Sequence, residues 1–298
     1  MSERTKVLLT GATGFVGSRL FPALVEADMD VRCTSRDPAR ARARFPDRCW
    51  VRLDVQDPAS IGPAMQGMDV VVYLVHSIGA ATDYGQVERA SARAVREAAA
   101  ASGVRHLVYL GGVEPAGVAS KHLRSRLDTG ATLRAGPVPV TELRAGMIIG
   151  EGSESWQICS DLARLPAMIL PQWLKTRSEP VAINDVVAAL SFSVGMTPER
   201  TVVYDLPGPD IVTARSILER IAAANGSHPW MVEVPFLTPR LSSYWLRFVT
   251  RADYQIAREL VAGLTSDLLA RHPTLWEKMP AFVPTPFDEA MDRAQQTD

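Results

Sequence analysis

The chain has 298 residues, and its 32 Lys plus Arg against 33 Asp plus Glu give a formal net charge of −1. That balance excludes a generally basic nucleic-acid binder. A content of 47% hydrophobic and 22% charged residues excludes a disordered chain and suits one that buries a core.

The length admits about two domains at roughly 150 residues each. The longest aliphatic and aromatic run, Val70 to Val75, is too short for a bilayer, so no transmembrane segment is expected. Met1 to Lys6 leads into strand-like sequence without a signal-peptide pattern, so a cytoplasmic location is expected. Cys33, Cys49 and Cys159 form no CxxC pair, and the five histidines are scattered. Neither a disulfide framework nor a metal site is expected.

Taken in order, short β-branched runs at Val7–Thr10, Val31–Ser35, Trp50–Asp54, Val70–His76, Leu107–Leu110 and Val140–Arg144 alternate with helical stretches. One helix opens after Asp57-Pro58, an N-cap followed by proline at the first helical position. Another runs from about Tyr84 to Ser102, where Gly103 stops it. The alternation predicts an α/β chain with a Rossmann-type doubly wound parallel sheet, whose ligand lies at the carboxyl ends of the strands near the switch point. Residues 1–150 read as this dinucleotide-binding core. Residues 151–298 read as a small carboxyl-terminal substrate-side region that partly completes the sheet. In that region prolines shorten the elements, helices are expected at Asp185–Val194, Ala214–Ala224, Arg240–Val249 and Ala252–Leu264, and Pro273–Pro286 reads as irregular.

The first strand runs into Gly11-Ala12-Thr13-Gly14-Phe15-Val16-Gly17. Gly11 suits the tight turn, Gly14 lets backbone approach a pyrophosphate, and Gly17 allows close helix-to-strand packing. The amino terminus of the following helix offers unpaired N–H groups to the anion, and Thr13 adds a hydroxyl donor. After the second strand, Arg36 falls where a 2′-phosphate would sit, with Ser35 or Thr34 as a further donor, which favours NADP(H) over NAD(H). The rival reading makes Arg36 part of a solvated basic surface with Arg40, Arg42, Arg44 and Arg48, and gives Asp37 the ribose hydroxyls of NAD. Asp54 and Val55 end the third strand at the adenine edge, and Val75, His76 and Ser77 end the fourth beside the nicotinamide ribose. Asp54 also suits a local turn, and His76 a packed or solvent-facing end.

With these motifs, the LVYLGG strand, VTELRAGMIIG (Val140–Gly150) and Val181–Val186, the chain resembles the extended and atypical short-chain dehydrogenase/reductases, most closely the NAD(P)H-binding, NmrA-like subgroup. The resemblance covers roughly Lys6 to Leu206. It implies a Rossmann core with a small substrate region, a contact of Gly111 with cofactor, and a four-helix homodimer interface that the altered Arg124-Ser125-Arg126 face leaves open. Members include reductases, epimerases, redox sensors and respiratory-complex accessory subunits.

The family's Tyr-x-x-x-Lys pair is absent: the six tyrosines are followed four residues on by Ser77, Glu88, Val113, Gly208, Phe248 and Arg258. His122 and Arg126 stand at the corresponding place, spaced i, i+4 on one helix face. An imidazole can donate a proton near neutral pH and Arg126 can hold ribose hydroxyls. Gly111-Gly112 stands where the family's serine is expected. Further on, Ser153, Trp156 and Trp173 suit an apolar wall for a bulky, aromatic or polycyclic small-molecule substrate, or equally a core under a proline-broken loop. The stripe Leu241, Tyr244, Trp245, Phe248 and Val249 reads as a buried helix face, with a docking surface as the alternative. The expected function is NADPH-dependent reduction of a carbonyl, enone or quinone-like molecule. A non-catalytic NAD(P)H-binding sensor or assembly factor is the alternative, and a redox-neutral isomerase, dehydratase or cyclase a weaker one.

Overall fold

The computed structural model describes residues 4–76, 84–171, 175–227, 229–234, 263 and 265–296. Its elements in order are β1 (Lys6–Leu9), α1 (Phe15–Glu26), β2 (Asp30–Ser35), α2 (Pro38–Arg44), β3 (Cys49–Arg52), α3 (Pro58–Met65), β4 (Val70–Tyr73) and α4 (Tyr84–Ala101). They continue with β5 (His106–Gly112), α5 (Lys121–Arg134), β6 (Val140–Ala145), β7 (Ile148–Ile149), α6 (Glu154–Ala163), β8 (Ala167–Pro171), β9 (Arg177–Ser178) and β10 (Val181–Ala182). The last are α7 (Ile183–Val194), β11 (Val202–Asp205), β12 (Val212–Thr213), α8 (Ala214–Ala224), β13 (Trp230–Val234), a 3-10 turn at Leu275–Lys278 and α9 (Phe287–Gln295).

The chain folds as two compact units, the first formed by Met1–Gly112, Ser125–Arg144 and Val186–Tyr204. It holds a seven-stranded sheet in the order β3-β2-β1-β4-β5-β6-β11. β1 pairs in parallel with both β2 and β4, β2 with β3, and β4 with β5. This is the doubly wound Rossmann arrangement, with its reversal of direction between β1 and β4. Every residue of β4 and β5 is buried, as parallel strands covered on both faces require. Leu8, Ile61, Met65, Val71, Tyr73, Leu107, Tyr109 and Leu133 share one core under this sheet.

All six expected core strands are present, but three end early, β1 by one residue at Leu9. β4 stops at Tyr73 because the Leu74 N–H is taken by the Thr10 hydroxyl at 3.0 Å. β3 stops at Arg52, beyond which the Ser60 hydroxyl bonds both the N–H and the carbonyl of Asp54. Pro58 opens α3 as expected, yet the Asp57 carboxylate does not cap it and instead accepts from Arg52 at 2.8 Å. Gly103, at φ +74°, follows α4 in the left-handed conformation that glycine tolerates.

A buried titratable group on β5 gives the first unit a pH dependence. His106 is 2% exposed, and its Nε2 lies 2.9 Å from Thr141 Oγ1 on β6. Burial pushes its pKa from 6.5 down to about 4. The unfolded imidazole therefore gains its proton first as pH falls. The contribution of neutral His106 is complete above about pH 6.5 and is lost on the way down to about pH 4. His106→Phe should remove on the order of 2–3 kcal/mol of stability difference between pH 7 and pH 4. Denaturant midpoints of variant and parent at both pH values check this, and parallel losses in the two would reject it.

The second unit comprises Val113–Arg124, Ala145–Asp185 and Asp205–Asp298. Its core joins Ile149, Trp156, Val212, Ile217, Ile221, Phe287 and Met291. Three two-stranded pairings stiffen it: β7 with β10 and β8 with β13 in parallel, and β9 with β12 antiparallel. Carboxylates tie in the last segment, Asp185 accepting from the Thr285 N–H at 2.7 Å and Asp210 from the Phe287 N–H at 2.8 Å. α7 and α8 match the expected helices. The helices expected at Arg240–Val249 and Ala252–Leu264, with the apolar stripe of the former, lie outside the described residues apart from Gly263.

Candidate functional site

The turn after β1 is built by four residue choices. Thr10 is fully buried, and its hydroxyl donates to Val72 O and accepts from Leu74 N, both at 3.0 Å, stitching β1 to β4 at the switch point. Gly11 has φ +65°, and a Cβ there would lie 3.1 Å from Leu74 O. A Cβ on Gly17 would lie 2.3 Å from Gly11 O and 2.9 Å from Ala12 Cα, so only glycine lets α1 pack this close to the turn. Gly14 is the N-cap of α1, and no side chain caps that end. The first-turn amides are thus left to other acceptors, which is the physical basis of an anion site. Ala12 is buried, whereas Thr13 and Gly14 are exposed and Phe15 and Val16 partly exposed.

The end of β2 separates its polar groups. The Asp37 carboxylate accepts from Arg40 N at 3.0 Å and so caps α2. The Ser35 hydroxyl is tied to Asp37, donating to its carbonyl at 3.0 Å and accepting its N–H at 3.1 Å. Arg36 is exposed and makes no hydrogen bond or ion pair among the described residues. Arg48, expected with the solvated basic surface, is half-buried and stacked: its guanidinium lies 4.4 Å from the Phe21 ring and 4.1 Å from the Phe45 ring. Its Nη1 donates to Ala12 O at 3.1 Å. Thr10 and Arg48 are the residues that the sequence reading missed. A threonine just before the first glycine was a usable signal for Thr10, whereas nothing local marked Arg48.

At the third strand the Asp54 carboxylate accepts from Gln56 N at 3.0 Å in a local turn, and Val55 is buried in the core. Val75 packs against the same core. His76 reaches the surface after β4, and crowding by protein followed by the nearby Arg126 guanidinium pushes its pKa down; contact with water tempers the first effect. Ser77 lies outside the described residues.

Below these strand ends is a buried polar cluster. Tyr73 and Tyr109 face each other across β4 and β5 with ring centroids 6.0 Å apart, and burial pushes both phenols up so that they stay neutral. The Tyr109 hydroxyl donates to Arg126 O at 3.0 Å, and the Arg126 guanidinium donates to Leu110 O. Ser125 donates to the buried Glu88 carboxylate, joining α5 to α4. His122 is half-buried on α5, one turn before Arg126.

Gly111 has a steric reason to be there. A Cβ would lie 3.1 Å from Tyr109 Cε1 and 3.2 Å from Glu142 Oε1, so the serine expected at this place would crowd the carboxylate. Glu142 is itself wholly buried between Arg134, with which it is in ionic contact, and Arg144, whose Nε is 2.8 Å away.

In the second unit, Ser153 caps α6, accepting from Trp156 N at 3.4 Å and donating to Ile148 O at 2.8 Å. Trp156 is 4% exposed in the core. Both side chains are therefore occupied with capping and packing. Trp173 lies outside the described residues. Among the described residues no cluster of His, Cys, Asp or Glu could hold a metal ion, and no helix is long and apolar enough to cross a membrane.

Comparison with known proteins agrees with this geometry. Residues 11–134 match the model of an NAD(P)H-binding family. The chain is 28% identical over 222 residues, 74% of each chain, to (4-alkanoyl-5-oxo-2,5-dihydrofuran-3-yl)methyl phosphate reductase of Streptomyces griseus. It is 29% identical over 194 residues to ceramide reductase of Caulobacter vibrioides, covering 63% of this chain and 60% of that enzyme. In fold it is similar to the NADPH-dependent quinone oxidoreductase of Escherichia coli, with TM-score 0.74, 19% identity, and coverage of 98% of this chain and 100% of the other. Residues 11–134 thus carry the likeness to an NAD(P)H-binding family, and the chain shares the Rossmann fold of the similar solved structure.

Proposed function

We propose that the protein is an NADPH-dependent reductase of the atypical, NmrA-like short-chain kind, acting on a carbonyl, enone or quinone-like small molecule. The observation that carries the cofactor choice is the end of β2. Arg36 has no partner among the described residues, while the Asp37 carboxylate that would suit the ribose of NAD is spent on the Arg40 N–H. The uncapped start of α1 and the close approach allowed by Gly17 fit a diphosphate. Bound NADPH supplies the hydride. His122 gives the proton to the substrate oxygen, and Arg126, already anchored on Leu110 O, holds the ribose. The relatives named above, reductases of a furanone phosphate and of ceramide, support the reaction class.

Calorimetry with NADPH and NADH, followed by NADPH oxidation against a panel of carbonyls, enones and quinones, tests the proposal. Tighter binding of NADPH and turnover of at least one compound are expected; no heat with either dinucleotide overturns it. His122→Phe should lower turnover by roughly a hundredfold or more, within the usual range for a general acid. Undiminished turnover with an unchanged pH profile removes His122 from the chemistry.

A second reading is a dinucleotide sensor without turnover. It is favoured by the missing Tyr-x-x-x-Lys pair and by Gly111 at the serine place. Binding of NADPH and NADP+ with unequal affinity, and no oxidation across the panel, would select it.

A further inference from the structure

α1 contains Pro22, which has no backbone N–H. In an α-helix the carbonyl of residue 18 takes its hydrogen bond from the N–H of residue 22. Ser18 O therefore loses its helical donor, close behind the glycine turn. Arg48 supplies a replacement from the segment between α2 and β3: its Nη2 is 3.2 Å from Ser18 O, and its Nη1 is 3.1 Å from Ala12 O. One guanidinium thus bridges the turn and the helix that follows it.

The surroundings hold that guanidinium in place. It lies between the Phe21 ring of α1 and the Phe45 ring that follows α2. Phe45 is in turn anchored by its carbonyl, which accepts from Trp50 Nε1 at 2.9 Å. Arg48 Nε is buried and without a partner. A half-buried cation with two carbonyl bonds and two aromatic faces is stiff and costly to displace.

The consequence falls on the next peptide group. Ala12 O and the Thr13 N–H belong to one planar trans peptide and point in opposite directions. Holding the oxygen against Arg48 aims the N–H away from it, at the exposed side of the turn where Thr13 and Gly14 lie. The positive charge behind the carbonyl also polarises the peptide and makes that N–H a better donor to an anion.

We infer that Arg48 is a positioning residue of the dinucleotide loop: it replaces the amide missing at Pro22 and fixes the Ala12–Thr13 peptide for diphosphate binding. The ligand part of this inference rests on the function proposed above; the hold on the loop does not.

The test uses the full chain with Arg48→Met, Arg48→Lys, Pro22→Ala, and Arg48→Met combined with Pro22→Ala. Loop order is read without ligand from hydrogen exchange of the Gly14 amide, which donates to Gly11 O at 2.9 Å. NADPH affinity is read by calorimetry, and helix repair by thermal unfolding. Arg48→Met is expected to speed Gly14 exchange and weaken NADPH binding, each about tenfold. Arg48→Lys, a single point charge without the fork, should recover only part of both. Adding Pro22→Ala to Arg48→Met returns a donor to Ser18 O, so the thermal midpoint should rise while exchange and affinity stay impaired. Pro22→Ala alone should leave affinity unchanged.

Recovery of exchange and affinity in the double variant would mean that Arg48 only mends the helix, and would overturn the inference. Unchanged exchange and affinity in Arg48→Met would do the same. If Arg48→Met does not fold, Arg48→Lys decides by the same two readings. If the parent protein binds no dinucleotide, the functional proposal falls and the exchange result alone judges the hold of Arg48 on the loop.

Discussion

Arg36→Ala is expected to weaken NADPH binding about a hundredfold while changing NADH binding less than about threefold. A guanidinium meets a phosphate through two parallel charge-assisted hydrogen bonds, a geometry that neither water nor a nearby lysine reproduces. Arg36 has no competing partner among the described residues, so no bond to any of them must break before it engages a ligand. Asp37 is the natural control. Its carboxylate holds the start of α2, so Asp37→Ala should cost about 1 kcal/mol of stability and leave the preference between the two cofactors in place. Calorimetric titration of both variants with both reduced dinucleotides checks the pair. Equal loss for NADPH and NADH in Arg36→Ala would show a general effect on the loop and remove the 2′-phosphate from its role.

Glu142→Gln is expected to destabilise the fold by about 3–5 kcal/mol, because it leaves two guanidinium groups around a neutral, wholly buried side chain. The charge matters more than the shape, since glutamine keeps the size of the residue. Gly130→Ala attacks the same place sterically. Its Cβ would come within 2.6 Å of both Glu142 carboxylate oxygens, an overpacking expected to cost about 1–3 kcal/mol. Replacing all three charges together, as Arg134→Met, Glu142→Leu and Arg144→Met, should recover most of the loss, because no buried charge is then left without its partner. Denaturant unfolding of the three variants measures this. A Glu142→Gln midpoint within about 1 kcal/mol of the parent would show that water or relaxation reaches the site.

The Rossmann unit was legible because its signals are local. Buried parallel strands read as unbroken β-branched runs, and Gly11, Gly14 and Gly17 sit at the spacing that a tight turn and a close helix demand. Strand ends were less legible, since Leu74 and Asp54 leave the ladder for side chains 64 and 6 residues away in sequence. Ser153 and Trp156 suited a substrate wall and a core equally, because caps and cores use the same residue types as pockets. Only their contacts, a helix start for one and the Phe287 cluster for the other, assign them to the scaffold.

The amino-acid order by itself determined the doubly wound sheet, the glycine turn, and a guanidinium at the end of the second strand, because backbone geometry and hydrophobic period act over a few neighbours. The tertiary structure decided what the charges do. Arg36 stays exposed without a partner among the described residues, Asp37 is drawn into a cap, Arg48 is held half-buried by two aromatic rings and two carbonyls, and Glu142 is locked between arginines. Charges of one kind are interchangeable in sequence but not in space. Their energies depend on distance and desolvation, and both are set by residues far away along the chain.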